Sequence, residues 1–365
     1  MLVTPRMGAA RGTSIAAVAR CGSYGSLLSI LLLSPALRAQ PSPPDTLQVI
    51  RLLQQARTPS NNSVLGFLHD STLSAQALEL AERIGWERGI FKGHLWAVLG
   101  VNDRGFRASP EEWYGHTRGA TQRRKWASTE EFVLLYRTIG RANALFQIPD
   151  TAALYIDTAQ WAAERSGDKH LLALTTYTRA HSLRIAERWG EAFKCALAAN
   201  ALAEEVDDVR LKAVGYNLSG MIRGRLGDLE GAVKDFTASL VLADSMGIHA
   251  LRLQNHNNWA YVMEVKGHWR EALEQYRALY QVTTATGHEL EFLPQVETGI
   301  GYMLVRLDSL DQAEAILGRL RSTKVMVGDP YEQWHNNAWA LLQLRRGRYR
   351  EAVASAYTAF VTEQI

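Results

Sequence analysis

Asparagine and arginine recur in this 365-residue chain at spacings that could set them side by side. Asn217, Asn257 and Asn337 stand at multiples of 40 residues, and Tyr177 and Thr298 fall in the same series. Arg225, Arg306 and Arg345 form a second series, with Tyr261 and Tyr302 between the two. An asparagine side chain both donates and accepts, so a row of them could pair with an extended peptide backbone, and an arginine fork suits a carboxylate. The competing reading is that the asparagines cap local backbone or are simply solvated.

Other chemistry is sparse. The chain has no His-Glu-x-x-His, no phosphate loop, no Gly-x-Ser-x-Gly and no paired cysteines at metal spacing, so it implies no cofactor, no metal site and no catalytic residue. His249 and His256, seven residues apart, read as surface or core histidines. Cys195 has no evident partner and reads as a buried, inert thiol. Trp189 and Trp269 share one repeat position and Trp259 and Trp339 another, a recurrence that packing explains without a ligand. The 37 acidic residues are interspersed with 40 basic ones without a run of like charge, so nothing marks a nucleic-acid or anionic-membrane surface.

The elements that would position these residues are set by a repeat. Alanine recurs at Ala152, Ala192, Ala232, Ala272, Ala313 and Ala352, at intervals of 40, 40, 40, 41 and 39 residues. Twelve residues before each stands a small residue: Gly140, Ala180, Gly220, Ala260, Gly301 and Ala340. Three residues before stands a bulky one from the second unit on: Trp189, Leu229, Trp269, Leu310 and Tyr349. Two antiparallel helices approach closely only where both present small side chains, so each unit reads as a helical hairpin with the alanine facing the small residue. Gly227, Gly267 and Gly347 end first helices, and Gly167, Gly247, Gly287 and Gly328 end second helices, with Asp207 in place of one glycine.

Small residue, Gly-Asp-Leu or Gly-His-Trp turn, then Glu-Ala or Gly-Ala: this pattern resembles the tetratricopeptide repeat, in a long-period form of about 40 residues like that of bacterial regulators and peptide-sensing proteins. The second-helix proline is absent, and the aromatic four residues after the alanine is clear only at Phe236 and Tyr276. The resemblance implies an all-α fold, an α-solenoid (superhelix) of antiparallel helix hairpins. Six pairs are expected at approximately 129–167, 168–207, 208–247, 248–287, 288–328 and 329–365, after divergent helical repeats over 46–128. It also implies that the first helix of each pair lines a concave groove holding a protein or peptide. Asn217, Asn257, Asn337, Tyr261, Tyr302, Arg225, Arg306 and Arg345 are then the expected peptide-binding residues.

Upstream, residues 71–84 read as a helix closed by Gly85, and the glycine-broken, basic stretch Gly115 to Lys125 reads as part of a poorly conforming repeat with a solvated loop, in preference to a binding insertion. Ser128-Thr129-Glu130-Glu131 is a serine cap with a glutamate three residues on. Residues 1–39 carry four arginines and no acid around the apolar run Leu27 to Leu33, with Ala36 and Ala39 following, which reads as a cleavable signal peptide. The run is too short and too interrupted for a stable membrane span. Its removal takes the formal charge from +3 to −1, and residues 40–45, with three prolines, read as a linker. The expected location is exported, periplasmic or extracellular.

The function expected is a non-catalytic peptide- or protein-binding scaffold or sensor, with a further contact at the uncapped C-terminal end. Two alternatives remain open: the sensing segment of a larger signalling protein, and an α-superhelical enzyme of glycan-cleaving type whose carboxylates would be Glu264 and Glu297. Export has a direct check. Mature protein recovered from bacterial cells should begin near Gln40, and an intact N-terminus in a cytosolic fraction would contradict it.

Overall fold

The computed structural model describes residues 44–59, 67–69, 71–103, 110–286, 293–322 and 332–362. The signal segment, residues 40–43 of the linker, and the closing glycines Gly287 and Gly328 lie outside the described residues. The chain is all-α and pairs sixteen described helices consecutively: α1 (Pro44–Ala56) with α2 (Ser71–Arg83), α3 (Glu87–Asp103) with α4 (Pro110–Gln122), α5 (Thr129–Leu145) with α6 (Pro149–Ser166), and α7 (Lys169–Ile185) with α8 (Trp189–Glu205). They continue as α9 (Val209–Leu226) with α10 (Leu229–Ser245), α11 (His249–Val265) with α12 (Trp269–Thr286), α13 (Leu293–Arg306) with α14 (Leu310–Ser322), and α15 (Glu332–Arg345) with α16 (Tyr349–Thr362). The chain divides into an N-terminal unit ending at Asn255 and a C-terminal unit beginning at His256.

Each hairpin is punctuated by its backbone. The Ser128 hydroxyl accepts from Glu131 N–H at 3.2 Å while the Glu131 carboxylate accepts from Ser128 N–H at 2.8 Å, closing a capping box at the start of α5. The turn from first to second helix places one residue in the left-handed region: Gln147, Glu187, Gly227, Gly267, Asp308 and Gly347 in successive pairs. Glycine adopts that conformation without a Cβ clash. Glutamine, glutamate and aspartate do it at a cost of about 1–2 kcal/mol, which the packed helices on either side must offset.

The core of each pair is a close helix crossing. Ala152, Ala192, Ala232, Ala272 and Ala313 have no exposed surface and Ala352 has 7%. Where the small residue is glycine, its nearest side-chain neighbour is the residue four after the alanine, although Gly140 also lies close to the Ala152 carbonyl. A Cβ added to Gly140 would stand 2.5 Å from Cγ1 of Ile156, one added to Gly220 2.9 Å from the Phe236 ring, and one added to Gly301 2.6 Å from Cγ of Leu317. These partners lie four residues after the alanine. Helical side chains lean toward the N-terminus of their own helix, so the residue one turn later reaches back over the crossing, and the alanine lets the backbones approach beneath it.

First helices also pack directly on one another, α3 on α5, α5 on α7 and α7 on α9 in the N-terminal unit and α13 on α15 in the C-terminal unit. The side they line is therefore the inner side of each unit.

Three expectations change upstream. Pro44 and Asp45 belong to α1 rather than to a linker, since proline is pre-shaped for a first helical turn and an acid there suits the helix dipole. Arg57–Pro59 pairs antiparallel with Phe67–His69 in a two-stranded ribbon that no local pattern announces. The stretch from Gly115 to Lys125 is no loop: α4 runs to Gln122 and a 3-10 turn follows at Arg124–Trp126. Trp113 and Ala120 are buried in a cluster with Phe91 and Leu95 of α3, and Gly119 lies flat against the His94 ring, so its missing side chain permits packing instead of breaking the helix.

Ala232→Leu should overpack the α9/α10 crossing and cost about 1–3 kcal/mol. Thermal or denaturant unfolding measures it, and unchanged stability would contradict this register.

Candidate functional site on the inner faces

The inner side of the solenoid is built from first-helix residues, and the two sequence series fare differently on it. Asn217 is buried, 3% exposed, and its Nδ2 donates to Oδ1 of Asn255 on α11 at 2.7 Å. Asn255 passes the network on: its Nδ2 donates to the Ser239 hydroxyl at 2.8 Å, and that hydroxyl donates to the Ala213 carbonyl at 2.6 Å. Tyr177 is half-buried and Thr298 fully buried, whereas Asn257 and Asn337 are exposed. The expectation of a uniformly solvated asparagine row is thus corrected. Asn217 binds the next first helix, because α11 carries Asn255 two positions out of register with the 40-residue spacing.

Asn217–Asn255 is one of several polar bridges between successive first helices, as is Lys92 on α3 with Glu131 on α5 at 3.1 Å. Arg137 on α5 donates from Nη1 to the Thr178 hydroxyl on α7 at 3.2 Å. Thr298 on α13 lies 3.2 Å from Nδ1 of His335 on α15. The Thr298 hydroxyl already donates to the Pro294 carbonyl at 2.8 Å, which assigns the proton of this bridge to His335 Nδ1. His335 is 2% exposed, and burial, with Arg321 nearby, lowers its pKa from 6.5 to about 4, so it is neutral at pH 7.

The arginine series has a different task from the one expected. The Arg225 guanidinium lies over the Trp189 ring at 5.0 Å and that of Arg306 over the Trp269 ring at 4.2 Å. Arg345 Nη2 donates to Asp308 at 2.8 Å. In every case the arginine near the end of a first helix reaches back to the turn region of the preceding pair. The series staples consecutive turns together by cation–π and ion-pair contacts. The sequence did hold the signal: Trp189 and Trp269 stand 36 and 37 residues before their arginines.

Exposed on the first helices of the C-terminal unit are Asn257 and Tyr261 on α11, Arg306 on α13, and Asn337 on α15. Tyr261 is 37% exposed and Tyr302 only 9%. Behind them the Tyr276 hydroxyl donates to Glu264 at 2.9 Å, and burial pushes the Glu264 carboxyl upward. Glu297 is held by Arg319 at 2.6 Å. The two acids of the glycan-cleaving alternative are therefore engaged by different partners. Among the described residues no group of three or more His, Cys, Asp or Glu side chains could hold a metal. Cys195 is half-buried and burial raises its thiol pKa, the condition of an unreactive cysteine.

Solved structures share this fold. A signal transduction ATPase with numerous domains from Pyrococcus horikoshii, carrying a tetratricopeptide repeat sensor, aligns with a TM-score of 0.60 at 14% identity over 80% of this chain. This chain spans 44% of that protein's length. Aspartyl phosphate phosphatase F from Bacillus subtilis aligns with a TM-score of 0.56 at 13% identity, covering 87% of this chain and 80% of its own. A Rap protein complexed with competence and sporulation factor aligns with a TM-score of 0.53 at 12% identity, covering 87% and 99%. At these identities the likeness establishes a tetratricopeptide-like helical-repeat fold. No family model and no curated protein matches the chain.

The His335 bridge makes an acid prediction. Its pKa is about 4 in the folded state against 6.5 ordinarily, so above about pH 6.5 neither state is protonated and the bridge contributes in full. As pH falls from about 6.5 to about 4 only the unfolded chain takes up the proton, and up to about 3 kcal/mol of stability is lost. His335→Gln should flatten that part of the stability profile; equal pH dependence in variant and wild type would contradict the assignment.

Proposed function

We propose that the chain is a non-catalytic scaffold or sensor module that holds an extended peptide or protein segment on the inner side of its first helices. The observation that carries this reading is the exposed row Asn257, Tyr261 and Asn337, fixed on helices whose own polar bridges and turn staples are already satisfied. Amide and phenol groups left outward on rigid helices can meet a peptide backbone without first breaking an internal bond. The fold neighbours support it by analogy, since one is a repeat sensor and another was crystallised with competence and sporulation factor.

In this reading the chain is a long-period member of the tetratricopeptide family, exported behind residues 1–39, with no part in catalysis. The helix α16 leaves Tyr349, Val353, Tyr357 and Phe360 exposed along one face, which favours a second protein contact there. Among the described residues no helix is long and apolar enough to cross a membrane. A second reading, the sensing segment of a longer signalling protein, draws on the share of the repeat-sensor ATPase that this chain matches, 44%.

The test separates presented from structural asparagines. Asn257→Ala with Asn337→Ala should weaken binding of a captured partner by about tenfold, because each lost hydrogen bond is worth about 0.5–1.5 kcal/mol, and leave stability unchanged. Asn217→Ala should instead cost about 1–3 kcal/mol of stability, because it strands the buried Asn255 amide. Titration calorimetry beside thermal unfolding reads both, and undiminished affinity in the double variant would refute the binding face.

A further inference from the structure

The C-terminal unit gathers tyrosines around an acid that the asparagine row does not use. Asn257, Tyr261 and Glu264 follow one another at intervals of four and three residues on α11, so they share one helix face, with Glu264 nearest the turn at Gly267. On α13, Tyr302 and Arg306 stand four residues apart. Tyr276 of α12 comes between the two helices. A Cβ added to Gly299 of α13 would stand 2.8 Å from its ring, so the glycine lets that ring lie against α13. From there the Tyr276 hydroxyl donates to Glu264 Oε2 at 2.9 Å. Tyr261, Tyr302 and Glu264 all bear electrostatically on that hydroxyl, which places the four groups in one cluster.

The carboxylate is incompletely compensated. Glu264 is partly buried, and burial holds its carboxyl above the ordinary range. It accepts one hydrogen bond, on Oε2, and no lysine, arginine or histidine among the described residues reaches ion-pair distance of it. Arg306, the cation that bears on it, lies over the Trp269 ring at 4.2 Å instead. A carboxylate drawn partly out of water without a paired cation is costly, and the low local dielectric that makes it so also strengthens its attraction for one. Phenol rings beside it add to that attraction, because the face of an aromatic ring is negative. Tyr261 is 37% exposed, so the cluster is reachable from solvent along the Asn257 face.

We propose that Glu264, with Tyr261 and Tyr302 beside it, is a cation subsite that takes a lysine or arginine side chain of the bound peptide. Tyr276 holds Oε2 and fixes the carboxylate, Oε1 meets the ammonium or guanidinium, and the tyrosine rings flank the charge and its aliphatic stem. The choice of a peptide rests on the scaffold reading; the charge of the group taken rests on this cluster alone. The formal charge of the whole chain, +3, attracts no basic ligand, so a preference for one must be local.

The test is fluorescence-anisotropy titration of the purified protein with labelled, N-acetylated peptides of alternating glycine–lysine and glycine–glutamine. A glycine–glutamine peptide with a free amino terminus is a third arm. The lysine peptide should bind at least about tenfold more tightly than the other two at low ionic strength, and the preference should shrink as salt rises. Glu264→Gln keeps an acceptor for Tyr276 but removes the charge, and should reduce the preference by about tenfold. Tyr261→Ala should reduce it by about threefold, while Tyr261→Phe, which retains the ring, should keep most of it. Glu274→Gln, at an exposed acid of α12, should leave it intact. Circular dichroism and unfolding establish that each variant folds.

Equal binding of the acetylated lysine and glutamine peptides, a preference that survives Glu264→Gln, or one that Glu274→Gln abolishes as well would overturn the subsite. Equal binding of the lysine peptide and the glutamine peptide with a free amino terminus would overturn the assignment to a side chain. Failure of the subsite is distinguishable from failure of the scaffold reading. If the lysine preference is absent while Asn257→Ala with Asn337→Ala still weakens the captured partner, only the subsite falls. If the preference depends on Glu264 while the partner ignores the asparagines, the asparagine row falls as a binding face and the subsite stands.

Discussion

The rest of the structure depends on one steric event, the close crossing of two helices where a small residue of the first packs against the side chain one turn after a buried alanine of the second. With Gly140, Gly220 and Gly301 crowded by Ile156, Phe236 and Leu317, the helices of those pairs have no slack. A crossing this tight fixes the rotation of each helix about its axis, and that rotation decides which residues of the first helix point inward. Repeating it every 40 residues or so turns a local packing rule into a row of equivalent inner positions. The exposed row of Asn257, Tyr261 and Asn337 is a consequence of this register.

Much of the polarity on the inner side is structural. Arg225 and Arg306 are spent on Trp189 and Trp269, and Arg345 on Asp308, joining each turn to the one before. Asn217, Thr298 and His335 are spent between neighbouring first helices. Solenoid stability is the sum of each repeat and its neighbour interfaces, so such bridges specify the stacking of consecutive pairs as well as stabilise it. Helices α7 and α9 carry no acid, whereas the first helices of the C-terminal unit expose amides and a phenol near a tyrosine-bound carboxyl.

The helix pairs were legible because one contact, repeated, leaves a periodic trace: Ala152 to Ala352 mark the same crossing each time. The site was less legible because its outcomes depend on which residue of the next pair arrives opposite. Asn217 and Asn257 share a repeat position, yet only Asn217 meets a partner displaced by 38 residues and is buried. Arg137 escaped notice because its turn residue is Gln147, and a left-handed glutamine carries no mark in sequence as a glycine does. Gly119 misled in the opposite sense, being a packing glycine against His94 that looked like a breaker. The ribbon of Arg57–Pro59 with Phe67–His69 pairs two short segments that show no alternation of their own.

The central claim, that the register of the helix crossings presents a binding face on the first helices, is tested most directly by site-specific photo-crosslinking to a captured partner. A crosslinker replacing Asn257 or Asn337 stands on the inner row, and one replacing Arg277, an exposed residue of α12, stands on a second helix. The account predicts capture from both inner positions and none from Arg277. Capture from Arg277 with none from the two asparagines would place the binding surface on the second helices and contradict it.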